Sequence, residues 1–305
     1  MPETQTKTAA PTKPQLFSKG HGACAGCGSA VAIRSILFNL GPNIVVSLAT
    51  GCMEVVSTGY PDNCWGVPVV HSLFENAPAV ASGVTRALKK RGSNAIPVVI
   101  GGDGSTYDIG FGALSGAMER NEDMIYFCYD NEAYENTGIQ RSGATPKYAA
   151  TTTSPKEVGG KSEWKKNVSF IAASHGVPYA ATASIAFLSD LKKKIEKAKA
   201  IKGFRIITLF AGCQLGWKHE PSLSIEVARK AVNTGMWNLY EIENGVFRRT
   251  VKPKQIEPVE NYLKMQGRFK HLKPEQVADI QQRINANQTE LDKLETSAVN
   301  LSKIL

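Results

Sequence analysis

Ile96-Pro97-Val98-Val99-Ile100-Gly101-Gly102-Asp103-Gly104-Ser105 is an apolar run that ends in a glycine-bracketed aspartate. A second apolar run, Met124 to Tyr129, ends in Asp130-Asn131-Glu132-Ala133, with Asn131 28 residues beyond Asp103. Short runs rich in Val and Ile, each followed by a helical stretch, are the pattern of a parallel sheet buried on both faces. Further strands are expected over residues 43–49, 179–184 and 204–211. Helices are expected over 29–39, 77–90, 109–120, 163–175, 187–200 and 222–234. The fold class is therefore α/β, a doubly wound and mostly parallel sheet with helices on both faces and a helical C-terminal appendage. Ligands of such sheets bind at the carboxyl ends of the strands.

The two strand ends carry chemistry. A Gly-Asp-Gly turn lets the backbone approach a diphosphate while the aspartate binds a hard divalent ion, and the next helix offers its N-terminus to phosphate. Asn131, closing a neighbouring strand, would complete a magnesium–diphosphate clamp. Gly-Asp-Gly alone occurs in ordinary turns; paired with an Asn at this distance it points to thiamine diphosphate.

A second constellation is Cys24-Ala25-Gly26-Cys27, with Cys52 in Thr50-Gly51-Cys52-Met53 and Cys213 in Ala211-Gly212-Cys213. Small neighbours leave room for thiolates to converge on an iron–sulfur cube. Four cysteines could equally form a zinc site, or be redox or structural thiols. Cys64 and Cys128 lack such company, and Cys128 reads as a small core residue.

Composition bounds the rest. The 305 residues are 42% hydrophobic and 21% charged, ordinary for a soluble globular chain. No apolar run reaches membrane-spanning length and no secretory h-region is visible, so a cytoplasmic location is expected, with no membrane or nucleic-acid partner. Of the net charge of +9, residues 147–205 hold a surplus of eight, twelve Lys/Arg against four Asp/Glu. That stretch reads either as a solvated face or as a surface that steers an acidic partner. Residues 1–19 read as an N-terminal arm and 20–245 as the cofactor-binding domain. After the hairpin signal Glu243-Asn244-Gly245 the sheet pattern is expected to fade, leaving 246–305 as an extension that packs on a partner subunit.

Together these segments resemble the thiamine-diphosphate-binding (beta) subunit of the pyruvate:ferredoxin, or 2-oxoacid:acceptor, oxidoreductase family. The resembling stretches include Gly20 to Gly28, Ala49 to Glu54, Phe74 to Ala77, Gly102-Asp103-Gly104, Tyr129 to Tyr134 and Asn136 to Gln140. Thr151 to Pro155 and Tyr262 to Phe269 extend the likeness to about residue 272. The resemblance implies one [4Fe-4S] cluster on Cys24, Cys27, Cys52 and Cys213, and magnesium on Asp103, Asn131 and the carbonyl of Ala133. It places Asn136 and Thr137 at the reacting end of the cofactor, as catalytic candidates. Gly51, Glu54, Gly102, Asp103, Gly104, Ser105, Asn131, Asn136 and Thr137 form the expected cofactor-binding set.

The implied reaction is oxidative decarboxylation of a 2-oxoacid, with electrons passed singly to ferredoxin. Pyruvate is the first choice of substrate and oxalate or phenylglyoxylate the alternatives; coenzyme A serves as acyl acceptor in some relatives. The implied partners are a pyrimidine-binding alpha subunit, which supplies the activating glutamate, and gamma and delta subunits with ferredoxin-like clusters, in a hetero-oligomer of anaerobic metabolism. Glu54 and Glu75 are the places to look for that glutamate within this chain. Departures from the family are Ser105 after Gly-Asp-Gly, Gln214-Leu215 within Cys213 to Trp217, and Cys64, each able to alter the pocket. Two competing readings stand beside this one: a non-redox thiamine-dependent decarboxylase or synthase, which needs no cysteine set, and a zinc-binding α/β interaction protein, which needs no Gly-Asp-Gly and Asp-Asn pair.

Overall fold

The computed structural model describes residues 15–61, 63–297 and 300–301. Its centre is an eight-stranded sheet of β1 (Ile44–Ala49), β2 (Val69–Ser72), β3 (Ile96–Gly102), β4 (Met124–Asp130), β5 (Tyr179–Ser184), β6 (Phe204–Phe210), β7 (Leu239–Glu243) and β8 (Val246–Val251). The order across the sheet is β2-β1-β3-β4-β6-β5-β7-β8. The first six strands in that order are parallel; β7 pairs antiparallel with both β5 and β8.

Every residue of β4 is buried, and the strand's period of two divides them between two cores. Ile125, Phe127 and Tyr129 join the cluster that packs α1 (Gly28–Leu40), while Met124, Tyr126 and Cys128 face the opposite side. A short helix, α2 (Cys52–Val55), follows β1. On the second face lie α3 (Ala77–Lys90), α4 (Phe111–Glu119) and α5 (Val168–Ser174). The first face is completed by α6 (Leu188–Ala200) and, past the short α7 (Gln214–Trp217), by α8 (Ser224–Asn233). These alternating apolar sets are why the central strands could be read from the sequence.

Beyond β8 come α9 (Glu260–Leu263) and the long α10 (Pro274–Ser297). Here the expectation needs correction. The sheet does not fade after residue 245: β8 pairs with β7 along its length, so a boundary there cuts a hairpin. α10 buries Ile280, Ile284 and Leu291 on its own chain, and the buried Arg249 of β8 pairs with its Asp292 and Glu295. What α10 can offer a partner is its polar outer face. Of the arm at 1–19, residues 1–14 lie outside the described residues, whereas Leu16 and Phe17 are buried and Phe17 bridges to Trp65.

The basic stretch is also resolved into pairs. Lys165 meets Asp130 and Glu132, Lys166 meets Asp108, Lys194 meets Asp190, Lys197 meets Glu241 and Glu243, and Arg205 meets Asp123. Much of the surplus read from the sequence is thus answered by acids from elsewhere in the chain.

Candidate cofactor site and cysteine set

The strands β1, β3, β4 and β6 are neighbours in the sheet, and the loops at their carboxyl ends carry Gly51-Cys52, Gly102-Asp103-Gly104, Asn131 to Thr137 and Cys213. The first three of these loops line a cavity of about 220 Å³, with Cys213 outside its lining. Of the expected residues, Gly51, Cys52, Gly102, Asp103, Gly104, Asn131, Ala133, Asn136 and Thr137 line it. The sequence reading missed Thr50, Phe74, Tyr129, Tyr134 and Glu135, which complete the wall.

Asp103 is 1% exposed. Its carboxylate accepts the backbone N–H of Asn131 at 3.3 Å and the hydroxyl of Ser142. Burial, with Asp130 close by, holds this carboxyl well above the usual carboxylate range. Lys165 answers Asp130 and Glu132, but among the described residues no Lys or Arg forms an ion pair with Asp103. The Asn131 amide shows what is wanted there. Its oxygen faces acceptors only, 2.7 Å from Asp103 Oδ1 and 3.0 Å from the Ala133 carbonyl; turned over, its nitrogen would donate to both. Octahedral magnesium, with metal–oxygen bonds of about 2.1 Å, sets adjacent ligands about 3 Å apart. The three oxygens therefore fit a small divalent cation, which would select the oxygen-inward amide.

The segment after Asp103 also brings backbone to the cavity wall. A wide π-helical turn, Gly104–Ile109, starts directly from Asp103, earlier than the helix start expected near Ile109. Such turns concentrate at functional sites. A Cβ at Gly104 would come within 2.5–2.9 Å of the Tyr134 ring, so only glycine lets the backbone line the cavity here.

Two residues of the expected cofactor-binding set, Ser105 and Glu54, fall outside the cavity, as do Cys24, Cys27 and Cys213. Ser105 donates to the Phe74 carbonyl at 2.7 Å, so it holds a wall residue from behind. Glu54 accepts from Thr58 at 2.7 Å and lies 3.6 Å from His71; it caps its own loop. Glu75 is likewise absent from the lining. Asn136 and Thr137 stand at the exposed mouth, Thr137 donating to the Gln140 side chain.

The cysteines gather at the same end of the sheet. Cys27 precedes α1, Cys52 begins α2 and Cys213 precedes α7, each at a helix N-terminus, where free amides favour thiolate. Gly28 N–H donates to the Gly212 carbonyl at 3.1 Å, and Gly216 N–H to Cys213 Sγ at 3.4 Å. Cys24 is exposed and the other three are partly buried. Burial, then Glu135, Cys27, Asp103 and Cys24, push the Cys52 thiol up to about 12. Thiols that raise one another in this way would ionise together only around a strongly positive core. Among the described residues no group of three or more His, Cys, Asp or Glu side chains is arranged to hold a single metal ion.

Glu135 stands between the two constellations. Its oxygens are buried away from any N–H or O–H group and meet only the Cys213 thiol, and burial pushes its carboxyl up to about 7. A Cβ at Gly216 would lie 2.2–2.6 Å from that carboxylate, so the glycine makes its room.

The thiamine pyrophosphate enzyme family, C-terminal TPP binding domain, matches residues 49–209, which opens at the end of β1 and closes near the end of β6. Pyruvate synthase subunit PorB of Methanothermobacter marburgensis is 52% identical over 275 residues, covering 89% of this chain and 96% of the relative. This chain belongs to the thiamine-diphosphate-binding subunits of the 2-oxoacid oxidoreductases. Pyruvate synthase subunit PorB of Methanocaldococcus jannaschii is 49% identical, over 89% of this chain and 94% of its own length. Ketoisovalerate oxidoreductase subunit VorB of Pyrococcus furiosus is 39% identical, over 96% and 98%. Among solved structures, 2-oxoglutarate:ferredoxin oxidoreductase from Magnetococcus marinus shares the fold, with a TM-score of 0.59 at 22% identity over 72% of this chain and 80% of that one.

Proposed function

We propose that this chain is the beta subunit of a pyruvate-oxidising complex, in which Asp103, Asn131 and the Ala133 carbonyl hold magnesium and the diphosphate of the cofactor. Cys24, Cys27, Cys52 and Cys213 hold one [4Fe-4S] cluster. The observation that carries this reading is Cys52, which lines the same cavity as Asp103 and Asn131. A non-redox decarboxylase has no use for a thiol ligand at that wall.

Thiamine diphosphate supplies a carbon nucleophile and an electron sink, and a cluster accepts the electrons one at a time. This chain's own residues do the rest by placement. Gly102 and Gly104 bring the backbone to the diphosphate, Asp103 and Asn131 aim oxygens at its counter-ion, and Phe74, Tyr129 and Tyr134 keep water from the wall. Asn136 and Thr137 sit at the mouth, where a 2-oxoacid enters. The carboxyl side chains lining the cavity are Asp103 and Glu135. The first faces the metal position and the second faces Cys213, so neither is free to activate the aminopyrimidine ring. A pyrimidine-binding alpha subunit supplies that group. Gamma and delta subunits carry electrons on to ferredoxin, and coenzyme A takes the acyl group.

The test is a 2-oxoacid panel on the anaerobically purified native complex, with viologen dye reduction as readout. Pyruvate should give the highest rate and 2-oxoisovalerate a lower one. A brown complex is expected. A colourless complex that decarboxylates without reducing dye would return the non-redox reading.

A further inference from the structure

The segment Tyr262 to Phe269 lies beyond the family match, which ends at residue 209, yet one of its side chains reaches the cofactor loop. Arg268 is 3% exposed and donates to the Glu132 carboxylate at 2.6 Å, across 136 residues of sequence. Glu132 lies between the two loop residues whose oxygens converge on Asp103. It adopts φ +66°, left-handed backbone that costs a non-glycine residue free energy. Lys165 holds the second Glu132 oxygen at 2.9 Å, and the Thr145 hydroxyl donates to the Glu132 carbonyl. Arg268 also touches the loop by a second route. Its guanidinium lies 3.9 Å from the centroid of the Trp217 ring, and Trp217 Nε1 donates to the Asn131 carbonyl at 2.8 Å.

A buried ion pair is a poor source of net stability, because desolvation offsets the attraction. Its specific effect here is geometric. With Glu132 clamped, the left-handed turn holds and the Asn131 amide and Ala133 carbonyl point the same way. With the clamp gone, the turn is free to relax to ordinary backbone and the two oxygens separate. We propose that Arg268 is a positioning residue of the cofactor site: through Glu132 and Trp217 it fixes the left-handed turn that aims Asn131 and Ala133 at Asp103.

The proposal rests on the clamp reading above, and the experiment separates the two. The assembled complex is stripped of cofactor and titrated calorimetrically with thiamine diphosphate at several Mg²⁺ concentrations. Arg268→Met keeps the apolar contact with Trp217 but loses the charge; its affinity should fall about tenfold, which corresponds to roughly 1.4 kcal/mol. The deficit should shrink as Mg²⁺ rises, which a general loss of folding would not do. Arg268→Lys should recover affinity to within about threefold, since a charge restored at Glu132 restores the turn. If Arg268→Met fails to assemble, the near-isosteric Glu132→Gln carries the same test with the same expected loss. Native affinity in Arg268→Met or Glu132→Gln would overturn the proposal, as would a deficit indifferent to Mg²⁺ or an Arg268→Lys variant as weak as Arg268→Met. Asp103→Ala distinguishes the cases: if it too binds normally the clamp itself is wrong, and if it alone fails only the positioning role is.

Discussion

The loops at the carboxyl ends of β1, β3, β4 and β6 and the antiparallel edge formed by β7, β8 and α10 are both rich in buried charge, and they treat it in opposite ways. At the edge every buried charge is answered. Lys194 is 1% exposed and reaches Asp190, the Thr182 carbonyl and Thr250. Glu241 takes Lys197, Arg248 and Tyr179, and Arg249 takes Asp292 and Glu295. At the cofactor end, Asp130 Oδ1 has no partner, Glu135 meets only the Cys213 thiol, and the Asn131 oxygen faces only other oxygens. Buried polar groups are normally satisfied, so an unanswered set is a sign that something else is meant to bind. The edge is scaffold, and the cofactor end is a site.

The comparison can be broken most decisively at the cysteines. Serine at position 24, 27, 52 or 213 should remove or destabilise the cluster and stop dye reduction, whereas Cys64→Ser and Cys128→Ser should leave iron content near normal. Iron analysis of the six variants decides it, and full iron in Cys213→Ser would remove that residue from the ligand set.

At the edge, removing a cation should damage stability and spare cofactor binding. Lys194→Met leaves Asp190 and the Thr182 carbonyl without their buried partner and should cost about 3–5 kcal/mol. The exposed neighbour Lys193 should tolerate the same change to within about 0.5 kcal/mol. Denaturant unfolding of the two variants should separate them clearly; equal midpoints would mean that the Lys194 network is idle.

The smallest effect belongs to α10. Pairing with Lys252 and Arg249 lowers the Asp292 carboxyl to about 2. A depressed acid stabilises the fold above its ordinary value, near 3.8, and loses that contribution as pH falls toward 2. Because Asp292 is half exposed and Glu295 still answers the buried Arg249, Asp292→Asn should cost below about 1 kcal/mol at neutral pH. Its stability should converge with that of the unaltered chain as the solution is acidified from pH 4 to pH 2. Curves that stay parallel over that range would show that the pairing contributes nothing.

Much of this molecule can be read from the sequence, for identifiable reasons. Strands buried on both faces announce themselves as Val/Ile runs, so β3 to β6 were placed to within a residue. β2, β7 and β8 were not: β2 is four residues long with two of them exposed, and the last two carry charged residues whose partners lie far along the chain. Asp103, Asn131 and the cysteines sit in short motifs whose residue types mark them as candidates. Glu135, Lys165 and Arg268 do not, because their meaning comes from tertiary neighbours such as Gly216, Glu132 and Trp217. The charge count over Lys147 to Arg205 stayed open between a solvated face and a steering surface on the same ground, since composition cannot show where a lysine's partner lies. The three lysines 192–194 look alike in sequence, but only Lys194 is in the core.

The central claim is that Asp103 and Asn131 form a cation-dependent diphosphate clamp. Calorimetric titration of the cofactor-stripped complex with thiamine diphosphate and Mg²⁺ tests it most directly. The unaltered complex should bind only when Mg²⁺ is present, and Asp103→Ala should lose several kcal/mol of binding free energy, about a hundredfold or more in affinity, because the diphosphate charge is then left uncompensated in a closed site. Unchanged affinity in Asp103→Ala, or binding indifferent to Mg²⁺ in the unaltered complex, would contradict the account.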